Sequence, residues 1–207
     1  MASGDTAIVA WLDQLSARSP TPGGGAVAAL CAAVSAGLVG MVTAYTTGPK
    51  WVDREARMHE LNDEAAHLRT TALGVTDDDV DAFGAVAAAY ALRGDSLEEK
   101  AARTAAIQQA LVGAAAPPEH AGRIAARLIE IAEELVDSSN PNVLSDVAVA
   151  SATARAALDT AIVNIDVNRR AIRDDEEAAR LDSVVKELGL AAERADRVTA
   201  AVRERMR

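Results

Sequence analysis

Three polar clusters interrupt an alanine-rich chain of 207 residues, and each has residue types and spacing that could do chemistry. The turn Pro20-Thr21-Pro22-Gly23-Gly24-Gly25 lets the backbone approach a flat or anionic ligand closely, and a helix beginning there offers unpaired N–H donors at a positive dipole end. The same residues also make an ordinary turn between helices, and with no strand ahead of them they are not a dinucleotide fingerprint. Thr76-Asp77-Asp78-Asp79 precedes an apolar segment containing Val80, Phe83 and Tyr90. These carboxylates could move protons, or could simply be a helix cap followed by acids that the dipole favours. Ser138-Ser139-Asn140-Pro141-Asn142 leads through Ser145-Asp146 into a helix pattern that ends at Asn164 and Asn168. Those two amides lie one helical turn apart on one face, either as satisfied core groups or as ligand contacts.

Other chemistries are poorly served. His59, His67 and His120 are too few and too scattered to predict a metal site. There is no Gly-x-Ser-x-Gly elbow and no Cys/His motif for acyl transfer. Cys31 has apolar neighbours and reads as a structural thiol. A net charge of -10 with 2% aromatic residues argues against nucleic-acid partners. An anionic small molecule would need local positive charge, for which Lys50, Arg54, Arg57 and Arg103 are the candidates.

The elements that must position these groups are helices. Ile8, Trp11, Leu12 and Leu15 keep helical spacing, and the Pro/Gly turn ends that segment. From Ser19 to Pro49 no side chain is charged, and Val27, Leu30, Val34, Leu38, Met41, Val42 and Tyr45 continue a helical pattern. Its Ala, Gly, Ser and Thr content and lack of an interfacial anchor argue against a membrane span. The expectation is a helix buried on all sides, with Ala29, Ala33 and Gly37 letting backbones approach, and with a subunit interface completing its cover. Further helices are predicted over 53–73, 77–92, 97–116, 118–136, 145–166 and from 174 to the C-terminus. Ser96 with Glu99 makes a capping box, and Pro118 suits a first turn. No segment alternates as a strand does. The N-terminal apolar run 7–12 has no basic leader and is cut off by Asp13, so a cytoplasmic protein without a signal peptide is expected. The fold class is therefore all-α, a dimeric multi-helix bundle with a central small-residue-rich helix, and residues 1–207 form one domain.

In their order along the chain these segments resemble the cyclodeaminase domain of formiminotransferase-cyclodeaminase and the stand-alone methenyltetrahydrofolate cyclohydrolases. The residues that carry the resemblance are Pro20 to Gly25 with the small-residue helix to Met41-Val42, Thr47-Gly48-Pro49-Lys50, and Asp77 to Phe83. Glu98-Glu99-Lys100 with Arg103 and Gln108, Pro117, Asn140, Ser145-Asp146, and Asn164 with Asn168 complete it. The resemblance implies a homodimeric one-carbon enzyme acting between N5 and N10 of a tetrahydrofolate, bound at or near the subunit interface, with no tightly held cofactor and no metal. It implies a catalytic aspartate, with Asp79 favoured, Asp77 as the alternate and Asp146 in support. Substrate binding is expected from Pro22, Gly23, Gly24, Gly25, Asn140, Ser145, Asn164 and Asn168, with Lys50 and Arg103 on the glutamate tail. The alternative is a non-catalytic helical dimer that binds folate or a protein.

Overall fold

The computed structural model describes residues 7–207; the first six positions of the predicted domain lie outside the described residues. Among the described residues seven α-helices follow one another: α1 (Ile8–Ser16), α2 (Gly24–Ala44), α3 (Val52–Ala91), α4 (Leu97–Ala114), α5 (Ala116–Ser138), α6 (Leu144–Ala171) and α7 (Asp175–Arg205). Among the described residues there is no strand.

Local chemistry sets several of the helix starts. The Ser96 hydroxyl accepts from the Glu99 amide at 3.1 Å while the Glu99 carboxylate accepts from the Ser96 amide at 2.9 Å, the reciprocal box that opens α4. Pro117 and Pro118 occupy the first turn of α5, where a missing N–H leaves no helical bond unmade. Asp174 caps α7 by accepting from the amides of Glu176 and Glu177.

Helix α2 packs against α3, α5 and α6, and α6 in turn against α5 and α7. The close approach depends on alanine: Ala26, Ala28, Ala29, Ala32 and Ala36 are all but inaccessible. Polar groups in this core are satisfied, with Ser35 donating to the Ala150 carbonyl at 2.9 Å and Ser151 to that of Ala195 at 3.1 Å. α2 has the length and hydropathy of a membrane-crossing helix, but here most of its surface is buried by its neighbours. It is not buried on all sides, as its composition suggested. Three neighbouring helices leave one stripe uncovered, on which Val34, Met41 and Tyr45 are 49%, 37% and 62% exposed.

The predicted break near residues 74–76 does not exist. α3 runs through it as one helix of 40 residues. Gly74 weakens a helix by only about 1 kcal/mol. Thr76, taken from sequence as a possible cap, turns its hydroxyl back onto the Leu73 carbonyl at 2.6 Å and is buried. Tertiary packing outweighs both local signals. Asp79 therefore sits in mid-helix, beyond the reach of the terminal dipole of its own helix.

Helix α5 is clamped on both flanks by forked ion pairs. Arg57 of α3 meets Glu134, Arg127 meets Glu64 of α3, and Arg194 of α7 meets Glu133. The pairs are part-exposed, so each contributes modestly, but together they fix the register of α3 and α7 on α5.

Candidate functional site

At the N-terminal end of α2 a cavity of about 410 Å³ opens between the 20–25 turn, the second half of α3, and the ends of α4 and α6. Its wall is largely apolar, with Phe83, Val86, Leu111 and Val167, and among the described residues Asp79 is the one charged side chain lining it. Asn164 and Asn168 supply amides, and Tyr90 a hydroxyl.

Asp79 reaches the site from the middle of α3. The Ala26 amide, in the first turn of α2, donates to its Oδ2 at 3.1 Å. Burial pushes the carboxyl above its ordinary range, and the Ala26 hydrogen bond opposes that rise. The glycines of the turn make the contact possible. A Cβ on Gly25 would lie 1.8 Å from Asp79 Oδ1, and a Cβ on Gly24 would lie 3.0 Å from Asn164 Nδ2. Neither glycine has a positive φ, so space rather than backbone freedom is what they provide.

The two asparagines are both satisfied and in the cavity wall, which joins the two readings left open by their spacing. Asn164 donates through Nδ2 to the Thr160 carbonyl at 2.8 Å. Asn168 donates to Ala114 at 3.0 Å, tying α6 to the end of α4, and to Asn164 at 3.1 Å. With their N–H groups engaged on backbone, each can offer its amide oxygen to a donor in the cavity.

Of the predicted site residues, Gly23, Gly24, Gly25, Asp79, Asn164 and Asn168 meet around this cavity, and Pro22 lies within its turn. Asp77 does not line it. Two residues along a helix is a rotation of about 200°, so Asp77 and Asp79 leave α3 on nearly opposite sides. Arg103 stands behind the wall, donating to the Tyr90 carbonyl at 2.8 Å. Gln108 is likewise structural, donating to the Ala171 carbonyl and accepting from the Arg173 amide.

Lys50, Asn140, Ser145 and Asp146 are at the opposite end of the bundle. The 21 residues of α2 separate the two ends by about 30 Å. Asn140 donates to the Tyr45 carbonyl and, through its amide, to Thr46 Oγ1, both at 3.0 Å. Arg54 donates to the Ser138 carbonyl at 2.8 Å. Lys50 is exposed, with Nζ 5.4 Å from the centre of the Trp51 ring.

Sequence reasoning missed Val86, Leu111, Ala114, Pro118, Val167 and Ala171 as wall residues. Their types are those of any packed helix face, and only the meeting of four helix segments turns them into a cavity. Tyr90 carried a signal in its type, since two of the chain's five aromatic side chains, Phe83 and Tyr90, are in this wall.

The formiminotransferase-cyclodeaminase family model matches residues 7–187. A methenyltetrahydrofolate cyclohydrolase of Methylorubrum extorquens is 39% identical over 197 residues, covering 93% of this chain and 95% of that protein. The formimidoyltransferase-cyclodeaminase of Rattus norvegicus is 33% identical over 174 residues, which are 83% of this chain but 32% of the rat protein. The crystal structure of a formiminotetrahydrofolate cyclodeaminase from Thermotoga maritima superposes with a TM-score of 0.88 at 26% identity, covering 99% of both chains.

Proposed function

Because the chain belongs to the formiminotransferase-cyclodeaminase family, we propose that it is a folate one-carbon enzyme that hydrolyses 5,10-methenyltetrahydrofolate to 10-formyltetrahydrofolate in the Asp79 cavity. The observation that carries this reading is a half-buried carboxylate, fixed by a backbone amide, in a wall otherwise made, among the described residues, of apolar, amide and hydroxyl groups. The methenyl bridge bears a positive charge, and the carboxylate complements it in a largely apolar wall. Hydrolysis is favoured over deamination because the methenyltetrahydrofolate cyclohydrolase relative is both more similar and matched over nearly its whole length.

Asp79 then acts as general base. It takes a proton from water as the oxygen adds to the bridge carbon, and returns a proton to N5 as the carbon–N5 bond breaks, leaving the formyl group on N10. One proton is released overall. No redox partner and no tightly bound cofactor is required. The amide oxygens of Asn164 and Asn168 suit the N–H donors of the pterin ring, and Phe83 and Tyr90 offer faces to its flat rings. Cyclodeamination of the 5-formimidoyl derivative is the second reading, favoured by the match to the Thermotoga cyclodeaminase. There N10 attacks the amidine carbon and ammonia leaves, and the same carboxyl can carry the N10 proton to the departing nitrogen.

A homodimer belongs to this proposal. The exposed stripe of Val34, Met41 and Tyr45 along α2 is apolar. A two-fold axis perpendicular to α2 near Gly37 would bring the partner's Lys50 end of the bundle beside the Asp79 cavity. Lys50 would thereby reach the glutamate tail that it cannot reach within its own chain. The functional test follows the methenyl chromophore: accelerated loss from 5,10-methenyltetrahydrofolate is expected, its gain from the 5-formimidoyl derivative supports the second reading, and neither change leaves a binding module.

A further inference from the structure

The turn before α2 carries three glycines, and helix propensity alone favours alanine at Gly24 and Gly25, which are already helical and have no positive φ. Gly25 is buried, and what fills the place of its side chain is the Asp79 carboxylate, 54 positions further along the chain. A Cβ there would lie 1.8 Å from Oδ1, 2.5 Å from Cγ and 2.9 Å from Oδ2. All three carboxylate atoms would be inside contact distance, so rotation of the carboxyl about its own bond does not clear them. The same carboxylate accepts from the amide of the next residue, Ala26, at 3.1 Å.

We propose that Gly25 is a positioning residue: its missing side chain is the slot that holds the Asp79 carboxylate against the Ala26 amide, and any larger residue moves the acid out of register with the substrate. The idea rests on the assignment of Asp79 as the proton carrier, but its geometric half stands without it. Gly24 acts in the same sense on Asn164 more gently, because the contact there is 3.0 Å to the end of a side chain that can shift. Gly24 and Gly25 thus make room for the chain's own side chains as well as lining the cavity.

The test is a double-mutant cycle on the full chain with Gly25→Ala and Asp79→Asn, read by melting temperature and by turnover of 5,10-methenyltetrahydrofolate. Gly25→Ala is expected to lower kcat about as far as Asp79→Asn does, roughly 10²–10⁴-fold, with KM little changed, and Asp79→Asn is expected to add almost nothing to it. A purely structural glycine would instead give losses that multiply. Gly25→Ala should also melt below wild type, and the pair Gly25→Ala with Asp79→Ala should recover much of that loss, since the methyl then fits where the carboxylate was. If Gly25→Ala does not fold, recovery by Asp79→Ala still supports the slot, while a pair that also fails to fold places the fault in the helix start and overturns it. Wild-type melting temperature and turnover in Gly25→Ala would overturn it as well. Should the wild-type protein turn over neither folate, the functional assignment fails, and the melting arm alone decides the slot.

Discussion

The two ends of α2 are built from similar polar residues and put them to different uses. At the C-terminal end, Thr46, Asn140 and Arg54 spend their hydrogen bonds on backbone groups where one helix stops and the next begins. At the N-terminal end, one amide of α2 is spent on Asp79, and the carboxylate and the two asparagines keep acceptor capacity facing a cavity. The difference shows why residue type alone does not mark a site. Asn140 and Asn164 are chemically the same, but one closes a loop and the other lines a pocket.

The strongest way to break this contrast is Asp79→Asn. It should lower kcat about 10²–10⁴-fold with substrate affinity nearly kept, as separate measurements of kcat and Kd would show. Its stability should move the other way. Burial raises the Asp79 carboxyl, so the fold favours the protonated form; that contribution is full below the unfolded pKa and is lost as pH rises through the folded one. Above the folded pKa the ionised group is a net cost. The asparagine, which still has an oxygen for the Ala26 amide, should therefore melt no lower than wild type there. Wild-type turnover would remove Asp79 from the mechanism.

Placing charge in the exposed stripe, as in Val34→Glu, should split the proposed dimer at micromolar concentration without unfolding the chain, because Val34 is half exposed within one chain. Sedimentation checks it, and an unchanged oligomer would move the interface elsewhere. Gly37→Leu makes the complementary case. A Cβ at Gly37 meets nothing within 4 Å in the chain, so overpacking within the bundle, expected from a helix buried on all sides, should not occur, and any effect should appear in association.

Lys50→Ala separates the two ends by function. If the partner's lysine reaches the glutamate tail, KM should rise by up to about tenfold, more so at low salt, with kcat held. An unchanged KM returns Lys50 to solvent. The smallest effect belongs to Asn140→Ala, whose side chain accepts from the Asn142 amide as well as donating to Tyr45. About 1 kcal/mol of stability should be lost in a denaturant titration, with kcat untouched.

Much of this was legible in the sequence where the signal is local. Ser96 and Glu99 announced α4, Pro118 the first turn of α5, and the four-residue spacing of Asn164 and Asn168 put them on one face. The glycine turn stood out as unusual, but its partner did not, because nothing near Gly25 in sequence points to Asp79. The reading of Asp79 as a helix-start acid failed for a physical reason: Thr76 satisfies its hydroxyl within the helix, and packing carries α3 across Gly74. The grouping of Lys50 with Asp79 ignored a length that the sequence does contain, since 21 helical residues hold the two ends of α2 apart.

The pH dependence of kcat/KM on 5,10-methenyltetrahydrofolate, taken side by side for wild type and Asp79→Asn, tests the role of the buried carboxylate most directly, because it reports the ionisation of the free enzyme's base. Activity in the wild type should fall on the acid side through a pKa above the ordinary aspartate value of about 3.9, and the small residual rate of Asp79→Asn should lack that limb. An acid limb that persists unchanged in Asp79→Asn would show that another group is the base.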